Sequence, residues 1–108
     1  MFYCKASGAD GRGLYTQEGF VVLKGSSGRV ESVPSFVGTT WHESRQQMVE
    51  SETLHEEGGR LVFSKDHLFK TPSMAAAFLA GRTANGWLEW KDKDGKTLDA
   101  LKRQSPVE

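Results

Sequence analysis

The segment TPSMAAAFLAG, Thr71 to Gly81, constrains this chain more than any other. Thr71 offers a side-chain oxygen to the orphan N–H groups of a first helical turn, and Pro72 sits where a missing N–H costs nothing. The run from Met74 to Ala80 is a strong helix former. Gly81 supplies the left-handed residue that ends the helix. Its small alanines let a sheet approach closely. The next stretch, NGWLEWK from Asn85 to Lys91, then reads as a turn followed by an alternating strand. Alternation puts Trp87, Glu89 and Lys91 on one face and Leu88 and Trp90 on the other. The expectation is that Leu88 and Trp90 pack on the alanine-rich helix and that Trp87 stays partly exposed.

Strand and turn signals recur elsewhere. Phe2 to Ala6 reads as a short edge strand, and Ser7 to Gly13 as a glycine-rich loop. Gly19 to Gly25, GFVVLKG, is the clearest strand, and its continuous apolar run suggests burial on both faces. Ser26 to Arg29 reads as a turn, with Val30 to Val33 returning as a partner strand before Pro34. Thr40 and Glu43 have capping-box spacing. The helix they begin carries a narrow apolar stripe of Trp41, Met48 and Val49 against a wet face of Glu43, Arg45, Gln46, Gln47 and Glu50. Gly58 and Gly59 break the chain before a second strand, Arg60 to Phe63. Asp92 to Gly95 is a turn, and Thr97 caps a short closing helix. Thr16 to Arg29 and Thr83 to Lys96 share a pattern of Thr, Gly, aromatic, Lys, Gly and basic residues at an offset of 67. This echo suggests two hairpin-containing pseudo-repeats. The predicted fold is α+β: a small, mostly antiparallel sheet packed against two to three helices, one domain over residues 1–108.

Size and charge exclude several classes. A chain of 108 residues suits one domain that can bury a core without staples. No apolar run approaches the ~18 residues of a membrane span, and the start has no signal-peptide pattern. Cys4 is the single cysteine, which rules out an internal disulfide framework and fits a reducing cytoplasm. The 14 basic and 14 acidic residues balance, unlike the basic excess of most strongly electrostatic nucleic-acid binders. Residues 1–64 hold 6 basic and 8 acidic residues, and residues 65–108 hold 8 and 6, so a basic patch belongs to the second half.

Motifs for catalysis or metal binding do not survive their spacing. Gly95-Lys96-Thr97 ends like a phosphate loop, but the glycine required five positions earlier is Trp90. Asp92 to Gly95 starts like a calcium loop, but its twelfth position is Arg103, where a glutamate is needed. His42, His55 and His67 are too far apart for a local zinc motif, and Cys4 is a poor fourth ligand. Asp66 and His67 are adjacent, so on a strand they point to opposite faces, and no activated nucleophile accompanies them. No enzyme, metal or cofactor is expected. A partly exposed Trp87 near Arg82, Lys91 and Lys93 would suit stacking on a base with cations at the phosphates. Arg82 and Thr83 suit phosphate, and Asn85 suits an adenine edge. Against this, Asn85 also suits a turn that needs a residue tolerant of positive φ.

The second half, FKTPSMAAAFLAGRTANGWLEWKDKDGKTLDAL, resembles the DUF4357 family, a domain of unknown function found mainly in bacteria. Phe69, Pro72, Ser73, Ala75 to Ala77, Gly81, Arg82, Ala84 to Trp87, Trp90, Lys91 and Gly95 to Leu98 carry the resemblance, with Gly19 to Ser26 upstream. Thr71 and Thr83 replace serines, Met74 replaces an alanine, and Ser44 stands where a leucine is usual. Members of that family often follow GIY-YIG nuclease domains. The Asn85-Gly86-Trp87 segment is also similar, over a shorter stretch, to a domain associated with restriction-system adenine methylases. These resemblances imply a non-catalytic, DNA-directed accessory role. The expected DNA-contacting residues are Arg82, Thr83, Asn85, Trp87, Lys91 and Lys93. The alternative is a protein-interaction module of phage defence or counter-defence, whose partner would be a separate nuclease or another defence component.

Overall fold

The computed structural model describes residues 1–5, 8–30, 38–82 and 84–103. In chain order its elements are β1 (Phe2–Cys4), β2 (Gly11–Thr16), β3 (Gly19–Val22), β4 (Ser27–Arg29), α1 (Thr40–Glu50), β5 (Leu54–Glu57), β6 (Arg60–Phe63), β7 (His67–Phe69), α2 (Pro72–Ala80), α3 (Gly86–Glu89) and β8 (Trp90–Lys91). A closing π-helical turn, Asp99–Arg103, follows, with the Thr97 hydroxyl accepting from the Ala100 N–H. The strands form two antiparallel sheets of order β7-β3-β2-β1-β8 and β4-β6-β5. The architecture is α+β, as the residue pattern predicts.

Helix α2 is the centre of the molecule. Thr71 Oγ1 accepts from the Met74 N–H at 3.1 Å, Pro72 opens the helix, and Gly81 closes it in the left-handed region. Ala75 to Ala80 are all buried. A helix apolar around its circumference belongs inside, and α1, α3, β2, β3, β4 and β7 pack around this one. The alanines bring backbones close: a side chain at Gly28 of β4 would collide with the Leu79 carbonyl. Phe20, Val22, Phe69 and Trp90 line the inner face of the large sheet, and Phe69 meets Phe78 of α2 edge-on at 4.9 Å.

Several sequence expectations are corrected by pairing across the chain. Ser7 to Gly13 is not all loop, because Gly11 and Gly13 belong to β2. Side chains there would run into Leu79 and the Phe20 ring, so packing selects glycine inside a strand. Ser27 to Arg29 is a strand, with Gly28 opposite Leu61, and not a turn. Strand β1 lies between β2 and β8, not at an edge. Val21 of β3 is only half-buried, so the outer face of the large sheet is open. The cap of α1 is Thr39, whose Oγ1 accepts from the His42 N–H at 3.1 Å, one residue before the expected Thr40. Arg45 is buried, not on a wet face, and Val49 is 40% exposed. The expected strand from Val30 to Val33 lies outside the described residues beyond Val30. The 67-residue echo is not a structural repeat: Gly19 opens a strand and Gly86 opens a helical turn.

Candidate functional site

The segment carrying Trp87 is helical. Asn85 Oδ1 accepts from the Trp87 N–H at 3.1 Å, which caps the turn from Gly86 to Glu89. This replaces the predicted strand alternation, and its consequences are visible in burial. Leu88 is 51% exposed, while Trp90 is fully buried. Trp90 Nε1 donates to the Pro72 carbonyl at 3.0 Å, and the Gly86 N–H donates to Ser73 Oγ at 3.0 Å. Both bonds tie α3 and β8 to the N-terminus of α2. Pro72, Ser73, Gly86 and Trp90 are therefore one joint.

Trp87 is half-buried against the core. Its ring meets Tyr15 edge-on, with centroids 5.5 Å apart. The two rings and Lys70 line a small cleft of about 190 Å³ beside the β2–β3 turn. Glu18 lies on the same rim. Lys91 and Lys93 line a different cleft of about 490 Å³, together with Tyr3, Lys5, Glu89 and Asp92. The pairing of Tyr3 with Lys91 across β1 and β8 creates this second cleft. Lys5 there forms an exposed ion pair with Asp10 at 2.9 Å, and that lysine is the main cause of Asp10's depressed carboxyl pKa.

The structure thus divides the predicted cluster. Trp87 faces Tyr15 and Lys70, whereas Lys91 and Lys93 face Tyr3 and Lys5. Arg82 is half-buried and lines neither cleft. Asn85 is exposed, with its side-chain oxygen engaged as the α3 cap. Thr83 lies outside the described residues. Sequence reasoning missed Tyr3, Lys5, Tyr15 and Lys70, because only strand pairing brings residues so far apart together.

A third cavity of about 460 Å³ lies between α1, α2 and β7. Met48, Met74, Phe69 and Phe78 form its apolar wall, with Ser44, Gln47 and His67 at its polar positions. Burial, helped by the charge of Lys65, holds the His67 imidazole below its ordinary pKa of 6.5. Ser44, Gln47, Met48 and Ser51 recur at positions i, i+3, i+4 and i+7, so this face of α1 was a legible helical stripe.

Among the described residues, no three His, Cys, Asp or Glu side chains are grouped to hold a metal. The histidines sit on three separate elements: His42 is beside Gln46, His55 pairs with Glu57, and His67 meets Phe69 edge-on. Asp66 Oδ1 accepts from the Lys24 N–H, tying two turns. Asp92 Oδ1 accepts from the N–H groups of Asp94 and Lys96, so its carboxylate organises a turn. No helix among the described residues is long and apolar enough to cross a membrane.

The fold and its clefts define a small α+β domain with an open sheet face and aromatic rings set beside lysines. The chain belongs to the family described as "Domain of unknown function (DUF4357)", which matches residues 2–102. No curated protein and no solved structure matches it.

Proposed function

We propose that this domain is a non-catalytic DNA-binding accessory module acting in the cytoplasm, in the setting of restriction–modification or nuclease systems. One observation carries the reading: Tyr3, Lys5, Lys91 and Lys93 converge on a single open cleft. Lysines can meet backbone phosphates there, while the tyrosine ring offers a stacking surface. Glu89 and Asp92 on the same cleft keep its charge excess small, so binding is modest and strongly weakened by salt. The Trp87–Tyr15–Lys70 cleft supports the same reading with a second aromatic–lysine pairing. In this arrangement Asn85 acts as a helix cap and the phosphate contacts fall on Lys91 and Lys93.

The test is fluorescence anisotropy on labelled duplex and single-stranded DNA across a salt series. Lys91→Ala and Lys93→Ala should each weaken binding uniformly across sequences. Each should also flatten the salt slope by about 0.9 on duplex or about 0.7 on single strands. No binding at low salt, or an unchanged double variant, overturns the reading.

A second reading, a protein-interaction module of a nuclease or phage-defence assembly, is favoured by a different observation. Leu68, Val21 and Leu14 lie side by side across β7, β3 and β2 on the outer sheet face. Leu14 and Leu68 remain 41% and 47% exposed. Aliphatic rows of this kind suit an apolar protein surface better than a base.

A further inference from the structure

We infer that the cavity between α1, α2 and β7 binds a neutral, planar nitrogen heterocycle, held by its faces against Met48, Met74, Phe69 and Phe78 and by its edge against Gln47, Ser44 and His67. The cavity shares no lining residue with either aromatic–lysine cleft. Its volume of about 460 Å³ falls within the roughly 300–1,000 Å³ of ligand sites.

Three features select the ligand. The first is charge. No Asp, Glu, Lys or Arg lines the cavity, although 26% of the chain is charged. Burial, helped by the charge of Lys65, biases His67 toward its neutral form. A charged group inserted here would lose its hydration and gain no counter-ion, so the inserted group is neutral. The second is shape. Thioethers and phenyl rings together favour a flat, polarisable guest, through sulfur–aromatic and ring–ring contacts. The third is the polar edge. The Ser51 hydroxyl is taken up by the Met48 carbonyl and by Thr53. The side chains of Ser44, Gln47 and His67, in contrast, hydrogen-bond to no described residue. An aliphatic guest would strip water from these groups and give nothing back. A ring bearing both donor and acceptor atoms satisfies an amide, a hydroxyl and a neutral imidazole together.

A free nucleoside and a base of an unpaired DNA strand carry this same chemistry. In its second form the inference rests on the DNA reading above, and the experiment separates the two. The chain has three methionines. Met48 and Met74 line the cavity, while Met1 is 54% exposed and serves as an internal reference. With 13C-methyl methionine, adenosine and a short single-stranded oligonucleotide are titrated separately.

The expected result is saturable movement of the Met48 and Met74 methyl resonances with Met1 unmoved. Gln47→Ala, at an exposed helix position, should weaken adenosine binding about fivefold, the loss of one hydrogen bond. Cyclohexanol should move the same resonances far less. The inference is overturned if neither probe moves Met48 and Met74, if cyclohexanol matches adenosine, or if Gln47→Ala binds like the parent. Movement with the oligonucleotide alone identifies a strand-borne base. Oligonucleotide binding by anisotropy, with neither probe moving these methyls, sinks the cavity assignment and leaves the DNA reading standing. Adenosine shifts without any oligonucleotide binding do the reverse.

Discussion

Arg45 carries a full charge into the packing of α1 against α2. Its Nε donates to the Phe78 carbonyl at 2.8 Å, and its terminal nitrogens donate to the carbonyls of Val30 and Arg29. Burial, with a smaller contribution from Arg29, lowers its pKa to about 10, so it remains cationic at neutral pH. A planar guanidinium suits this place because its fixed fork of donors reaches carbonyls on α2 and at the end of β4 together. Arg45→Met keeps much of the volume but leaves those carbonyls without this donor. We expect it to lower the unfolding free energy by about 2–4 kcal/mol, read from the denaturant midpoint at constant slope. Arg45→Lys should recover only part of the loss. The sequence disguises this residue. Arg45 stands in a polar run with Glu43, Gln46 and Gln47, where a local reading assigns every long polar side chain to water. The acceptors that hold it lie on other elements, so no window around it reveals its burial.

At the scale of elements, the joint between α2 and α3 is the most specific feature of the fold. Its two halves lie in separate segments of the chain, and only the first was fully legible. Thr71, Pro72 and Gly81 announce α2 by local chemistry, because caps and a left-handed stop depend only on adjacent residues. Asn85-Gly86 announces a change of direction. The conformation that follows was not legible, because Trp87-Leu88-Glu89-Trp90 fits an alternating strand as well as a helical turn. The Asn85 cap and the Ser73 bond to Gly86 decide for the turn. Gly86 is required for steric reasons, since a side chain there would collide with the Pro72 carbonyl. Gly86→Ala should therefore lower the unfolding free energy by about 2 kcal/mol or more and reduce the melting temperature accordingly. A variant as stable as the parent would show that α3 can lift away from α2.

At the scale of the molecule, the large sheet is covered on one face and open on the other. Phe20, Phe69 and Trp90 fill the covered face, and Leu14, Val21 and Leu68 occupy the open one. Replacing Leu14 and Leu68 by serine should leave the unfolding free energy within about 0.5 kcal/mol. It should also reduce retention on a hydrophobic-interaction column. Global unfolding of the double variant would place this row in the core and remove the basis for a protein-docking face. What the amino-acid sequence determined alone was the set of features written in short range: the α2 helix with its cap and stop, the Arg60–Phe63 strand and the Asp92 turn. Tertiary structure decided that Gly11 and Gly13 belong to a strand, that Arg45 is buried, and that Lys91 faces Tyr3 while Trp87 faces Tyr15. The physical reason is that caps and turns are satisfied by adjacent residues, whereas burial and cleft formation depend on partners that the sheet order brings from distant parts of the chain.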